Sequence, residues 1–234
     1  MRWLVGFFLL ASPAAAVTCQ NIKYLGASYT TCEVSADEDL QLFLRDGDGN
    51  ILGSFSAVEN DTGRTLAFAM NAGMYHQDRD PVGHYIEDGV QESRVISSDG
   101  PGNFGLLPNG IFCIADTLRV FETFDYLDRQ PVCTYAIQSG PMLVIDGALH
   151  PRFLANGTSK NIRNGVGTSS DGTRAVFAIS NEAVNLHDFG MLFRDHLALP
   201  NALYFDGKVS RLYAPALNRS DFGWQLGSIV GVLN

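Results

Sequence analysis

The chain predicts an α+β fold: one sheet-rich domain with mixed or antiparallel strands and one main helix near residues 185–199. Three observations lead there. Apolar residues come in short runs or in alternation, bounded by turn residues, as strands require. Glycine supplies 24 of the 234 residues, so turns are frequent. Only the segment from Asn185 to Pro200 carries an apolar stripe at helical spacing, through Phe189, Leu192, Phe193, His196 and Leu197.

The beginning of the chain reads as a secretion signal. Met1-Arg2 brings a positive charge, Trp3 to Ala11 is apolar, and Ala14-Ala15-Ala16 is a small-residue cleavage region. Cleavage after Ala16 leaves residues 17–234 as the domain, long enough to bury a core. A secreted or periplasmic location is expected. A lipid anchor on Cys19 is disfavoured, because Thr18 stands where Gly, Ala or Ser is usual. No later stretch approaches the roughly 20 apolar residues of a spanning helix, so no transmembrane segment is expected. The formal net charge of -9 argues against nucleic acid or an anionic membrane surface as partner. A small anionic substrate stays compatible, since one arginine outweighs the global field at short range. A monomer is expected.

Four cysteines allow three pairings. Cys19–Cys32 and Cys113–Cys133 are favoured, each closing a local excursion in an oxidising compartment. A zinc site would need Cys-x-x-Cys or Cys-x-x-His spacing, and neither occurs.

The elements follow in order. Ile22 to Val34 and Leu40 to Arg45 read as strands. Asp46-Gly47-Asp48-Gly49-Asn50 begins like a calcium loop, but Ile51 replaces its turn glycine and Ala57 its bidentate glutamate. A hairpin turn between two strands is the better reading. Thr65 to Met70 is a strand ending in Asn71-Ala72-Gly73. His84 to Glu87 is another, with Asp88-Gly89 as its turn. Gly100 to Gly110 is either a loop over a pocket or a connector. Ile111 to Ala115 and Leu118 to Thr123 form a hairpin. Thr134 to Gln138 leads through Ser139-Gly140-Pro141 into Met142 to Ile145. Asp146-Gly147 suits a type I′ turn. Arg174 to Ser180, Ala202 to Phe205 and Leu226 to Leu233 complete the strands. Asn185 caps the helix, with Asp188 in its first turn.

Chemistry is narrowed first by exclusion. The histidines show no metal spacing, no serine nucleophile elbow occurs, and P-loop and dinucleotide fingerprints are absent. What remains is a set of polar residues at strand ends: Asn71, Glu87, Ser139, Arg163, Asp206 and Ser210. Arg163 lies among Asn161, Asn164, Gly165 and Gly167. It is either an exposed arginine beside a turn or a guanidinium approached closely by a carboxylate or phosphate. Glu87 stands in an apolar-aromatic setting that raises a carboxyl pKa. If the tips converge, two carboxylates and an arginine suit a sugar joined to phosphate.

Four runs in this order resemble the phosphodiester glycosidase family, that of the lysosomal uncovering enzyme: Asn71 to Tyr75 (NAGMY), Gln138 to Val144 (QSGPMLV), Ile162 to Gly167 (IRNGVG) and Ala202 to Gly207 (ALYFDG). The likeness spans Asn71 to the C-terminus. It implies cleavage of a glycosyl–phosphate bond in a sugar phosphodiester or phosphate-containing glycopolymer. It implies a site that includes Arg163 and Asp206; the residues' own chemistry makes Asp206 the leading acid/base or nucleophile candidate and Arg163 the phosphate ligand, with Glu87 and Asp188 in reserve for a second carboxylate. Substrate would meet Asn71, Gly73, Ser139, Gly140, Asn164, Gly207 and Ser210. No cofactor is required, and oxygen-rich strand tips leave room for a divalent cation. Where relatives carry Asp-Gly-Gly-Gly-Ser, this chain has Asp206-Gly207-Lys208-Val209-Ser210. Two alternatives accompany this reading. One is another glycosidase or phosphodiesterase on the same scaffold. The other is a non-catalytic glycan-binding protein, whose expected aromatic row is not visible in the sequence.

Overall fold

The computed structural model describes residues 17–234. The segment 1–16, read as a secretion signal, lies outside the described residues. Three sheets form, and every strand pairing within them is antiparallel. The first runs β1 (Thr18–Tyr24), β2 (Ala27–Ser35), β13 (Arg174–Ser180), β12 (Asn164–Thr168), β14 (Asn201–Asp206), β10 (Met142–Ile145) and β11 (Ala148–Leu149). The second runs β16 (Arg219–Ser220), β15 (Leu212–Ala214), β4 (Leu66–Asn71), β17 (Ile229–Leu233) and β3 (Leu40–Phe43). The third runs β6 (Val90–Ser93), β5 (Tyr85–Glu87), β9 (Tyr135–Ser139), β7 (Gly110–Ile114) and β8 (Leu118–Glu122).

The turns are built as their residues demand. Asp146 and Gly147 both take positive φ, 47° and 82°, as do Asp88 and Gly89 at 49° and 75°. Two consecutive positive φ values define the type I′ turn that matches strand twist. Both expected disulfides form. Cys19 and Cys32 are direct cross-strand partners in the β1–β2 hairpin. Cys113–Cys133 ties β7 to the segment entering β9.

The three sheets share one core. Phe177 of the first sheet packs on Phe68 of the second at 4.9 Å between ring centroids, and on Phe112 of the third at 5.8 Å. Strands with apolar neighbours on both faces, such as Ala175 to Ile179, are buried at every position. Each outer face then carries its own apolar cluster and helix. On the first sheet this is α3 (Leu186–Met191), continued as a π turn over Leu192–His196, which buries Phe189, Leu192 and Phe193. Asn185 caps it as expected, Oδ1 accepting the Asp188 N–H at 2.7 Å. On the second sheet α1 (Phe55–Thr62) buries Phe55 and Val58. On the third α2 (Thr123–Arg129) buries Tyr126 beside Cys113 and Cys133.

The first two helices go beyond the one helix read from the sequence. Each is only about two turns long and buries two residues, too few to print a stripe. They are made by their ends: Ser54 and Glu122 cap them through side-chain oxygens, and Gly63 and Gln130 close them in the left-handed region. The Asp46 loop differs from its reading too. Asp46 Oδ1 accepts the N–H groups of Asp48 and Asn50, and after the Arg45–Ile51 bridge the chain enters α1 rather than a second strand of a hairpin. Among the described residues no helix is long and apolar enough to cross a membrane.

Candidate active site

The strand tips converge, and the hydrogen bonds between them show how. Asn71 ends β4, Asn164 opens β12 and Asp206 ends β14, with Asn164 and Asp206 as register partners. Asn164 Nδ2 donates to the Asn71 carbonyl at 2.8 Å and to Asn71 Oδ1 at 3.0 Å. That same Oδ1 accepts the Arg211 N–H at 2.8 Å. Asn71 is fully buried, and its Nδ2 donor has no partner. Ser210 Oγ donates to the Ile162 and Asp206 carbonyls at 3.0 and 3.1 Å, and Ser139 Oγ to the Phe205 carbonyl at 3.2 Å. Gly73, at φ 72°, lies where a Cβ would fall 2.7 Å from Ile137 Cδ1. Gly140 would bring one within 2.7 Å of Asn109 Cβ. Both glycines permit close packing at the end of β9.

Asp206 lies on the wall of a cavity of about 590 Å³. Its carboxylate is held by its own turn: Oδ1 accepts the Gly207 and Lys208 N–H groups at 2.6 and 3.0 Å, and Oδ2 the Val209 N–H at 2.9 Å. Gly207, Lys208 and Val209 therefore cradle the carboxylate through backbone donors. Gly207 is constrained for another reason. A Cβ there would lie 2.2 Å from Tyr204 Oη. Pro101, Gly102, Asn103 and Phe104 form part of the same wall, so the Gly100–Gly110 segment borders a pocket.

Arg163 is buried, which excludes the exposed-arginine reading. Nε donates to the Val184 carbonyl at 2.8 Å, Nη2 to the Ser159 carbonyl at 2.9 Å and Nη1 to Tyr204 Oη at 3.0 Å. All three acceptors are neutral, and no ion pair among the described residues includes Arg163. Burial pushes its pKa down, opposed by Tyr204. The guanidinium edges a second, smaller cavity of about 160 Å³, and Ser159 borders both. Tyr204 is the link. Its ring is buried in the α3 cluster while its hydroxyl end reaches the larger cavity. Burial raises the phenol pKa to about 12, with Arg163 pulling the other way.

Sequence reasoning missed Tyr204, placing it only within the strand Ala202 to Phe205. The available signal was a hydroxyl inside an apolar strand, which must find a polar partner. Among the described residues no group of three His, Cys, Asp or Glu gathers that could hold a metal ion.

Two candidate carboxylates stand apart from the cavity wall. Asp188 sits in the first turn of α3 against His187 Nδ1 at 3.2 Å. Glu87 lies on β5, accepting the Tyr85 hydroxyl at 2.6 Å. Burial raises its pKa from 4.5 to about 7, with Glu92 adding to the shift. The unfolded chain titrates near the ordinary value. The stability from the protonated carboxyl is therefore complete below about pH 4.5 and lost as pH rises through about 7. Glu87→Gln keeps an acceptor for Tyr85 and removes this loss. Urea titrations at several pH values should show the variant gaining on the parent by roughly 1–3 kcal/mol between pH 5 and 8. Parallel pH profiles would remove Glu87 as the source.

The family profile described as phosphodiester glycosidase matches residues 64–233. The uncharacterized protein YigE of Escherichia coli K12 is 34% identical over 178 residues, covering 75% of this chain and 70% of YigE. The catalytic domain of zebrafish N-acetylglucosamine-1-phosphodiester alpha-N-acetylglucosaminidase, auto-inhibited by its pro-peptide, superposes with a TM-score of 0.66 at 15% identity. It covers 96% of this chain and 85% of that one. A hypothetical protein from Synechocystis superposes with a TM-score of 0.63 at 12% identity, covering 93% of this chain and 61% of that one. The matched span contains Asn71, Asn164, Arg163 and Asp206 together, and the chain belongs to the phosphodiester glycosidase family.

Proposed function

We propose that the chain hydrolyses a glycosyl–phosphate bond in a sugar phosphodiester. The observation that carries this is a buried arginine with no carboxylate partner, bonded to a tyrosine hydroxyl on the wall of the cavity that holds Asp206. A buried cation without a counter-charge is unfavourable, and a phosphate diester supplies the missing charge with matching geometry. The sugar occupies the larger cavity beside Asp206. The phosphate lies where Ser159 borders both cavities, within reach of Arg163 and Tyr204.

The roles follow from the hydrogen bonds. Asp206, its carboxylate oxygens held by three N–H donors, stabilises or attacks the oxocarbenium-like carbon. Tyr204 Oη receives hydrogen bonds from Arg163 and from the Asn103 side chain, and its own proton serves a substrate oxygen. A departing phosphate carries off negative charge, so an arginine and a hydroxyl donor serve it better than a second carboxylic acid. This accounts for a site in which neither Glu87 nor Asp188 borders the cavity. The two disulfides support an oxidising, extracytoplasmic setting for the reaction.

Tyr204→Phe is expected to lower kcat by about 10–10²-fold and to cost about 1–3 kcal/mol of stability, since it removes the acceptor of the buried Arg163 Nη1. An unchanged kcat would remove the phenol from the reaction. The functional reading itself is tested with UDP-N-acetylglucosamine, with and without chelator. Free N-acetylglucosamine plus UDP supports it. Sugar phosphate plus UMP would make the protein a phosphodiesterase and overturn it.

A further inference from the structure

Beyond the cavity, the loop 221–225 combines two opposite features. Phe222 and Trp224 are 96% and 83% exposed. Gly223 between them, at φ 149°, is packed so closely that a Cβ would lie 3.1 Å from Arg211 Nη2. The loop therefore lies against the Arg211 guanidinium. Arg211 is 8% exposed, its Nη2 has no hydrogen-bond partner, and no ion pair among the described residues includes it. Asp221 is already engaged by Arg219 at 2.8 Å and by the Leu212 N–H at 3.0 Å.

A second arginine repeats the pattern. Arg79 Nη1 is buried without a partner, packed at Gly53 beside Gln225. Both guanidinium groups lie within electrostatic reach of the Tyr75 hydroxyl, which itself donates to the Gln225 carbonyl at 3.2 Å. Tyr75 also lines the larger cavity. The loop is thus continuous with the site described above, and it brings two guanidinium groups, each with a buried nitrogen that has no hydrogen-bond partner among the described residues, Arg211 lying within electrostatic reach of Asp221.

Exposed aromatic rings offer flat faces for the C–H side of a sugar, and a buried unpaired guanidinium asks for an anion. We propose that Phe222, Trp224 and Arg211 form a second subsite, which receives an anionic sugar unit of a glycan chain extending out of the cavity. This rests on the glycosyl–phosphate reading and adds a substrate class to it: a charged oligosaccharide rather than a single sugar phosphodiester. The open loop tip, unlike an enclosed pocket, lets such a chain continue into solvent.

Trp224 is the only tryptophan after residue 16, so its fluorescence reports on this loop. The test titrates the chain carrying Trp3→Phe, so that Trp224 is the sole tryptophan, and Asp206→Asn, to hold hydrolysis off. The probes are a phosphodiester-linked N-acetylglucosamine trimer, the neutral trimer, methyl N-acetylglucosamine 1-phosphate and UDP-N-acetylglucosamine. The charged trimer should change Trp224 emission and bind about tenfold or more tighter than the single unit. Arg211→Gln should erase that advantage. Trp224→Ala, on an exposed loop where folding is not at stake, should do the same by calorimetry.

Equal binding of the neutral trimer would overturn the anion role. A full Trp224 response to UDP-N-acetylglucosamine would assign the loop to a nucleotide instead. A charged trimer no tighter than the single unit, in a protein that still hydrolyses small sugar phosphodiesters, would remove the subsite and leave the hydrolase reading intact. Tight trimer binding with no cleavage by the parent chain would keep the subsite and remove the hydrolase reading.

Discussion

Asp206→Asn is expected to lower turnover of a sugar phosphodiester by about 10²–10⁴-fold while leaving the protein folded. The substitution preserves size and removes one acceptor oxygen. Gly207 and Lys208 donate to Oδ1 and Val209 to Oδ2, so an amide nitrogen must face at least one of these N–H groups. The turn would loosen by about one to two hydrogen bonds' worth, roughly 1–2 kcal/mol, which circular dichroism melting would register. Activity would fall much further than stability, because the carboxylate also faces the cavity. Turnover within tenfold of the parent, with the melting temperature shifted as expected, would mean that Asp206 only shapes its turn.

Arg163→Met should produce the second large effect, and it should be selective. Methionine fills much of the same space without charge. The Val184 and Ser159 carbonyls lose donors, which costs about 1–3 kcal/mol. No carboxylate is stranded, because none pairs with Arg163 among the described residues. The loss in kcat/KM on a sugar phosphodiester is expected at about 10²–10³-fold. A neutral nitrophenyl glycoside, which brings no phosphate, should lose far less. Arg163→Lys should rescue little, since one ammonium does not reproduce a planar fork holding three acceptors in three directions. Equal losses on charged and neutral substrates would show that Arg163 supports the scaffold alone.

The parts of this molecule legible in the sequence are those set by local rules. Asp146-Gly147 and Asp88-Gly89 print their turns because positive φ selects such residues. The two disulfides were readable from spacing and compartment. The first part of the α3 stripe was readable because Phe189, Leu192 and Phe193 are buried at helical period, whereas His196, read as its continuation, is exposed and Leu197 half-buried, where the helix passes into its π turn. The helices α1 and α2 were not, because caps made them and no stripe did.

In the site, Asn71, Ser139, Arg163, Asp206 and Ser210 could be named from strand ends and Asn164 from its place beside Arg163, although their convergence depends on register between distant strands. Glu87 shows the limit most clearly. Its apolar setting and raised pKa were foreseeable, yet a sequence describes an environment without locating it, and this one lies away from the cavity wall. Tyr204 shows the converse: a residue can be core by its ring and site by its hydroxyl. Phe222 and Trp224 stay exposed because only their backbone, at Gly223, is packed.

In the second sheet β17 lies between β3 and β4, although residues 40–43 and 66–71 are synthesised long before 229–233. The two early strands do not pair with each other, so each carries an open edge until the last strand slots in. Folding of this kind has high contact order, which places it among the slower domains, on the order of milliseconds to seconds. Open edges during that interval are where neighbouring chains would join. Ile229 is also the register partner of Asn71. The final strand therefore borders the amide cluster, whose own bonds join Asn71 to Asn164 and Arg211. A partly made chain would present sticky edges and no working site, so activity reports on completed folding.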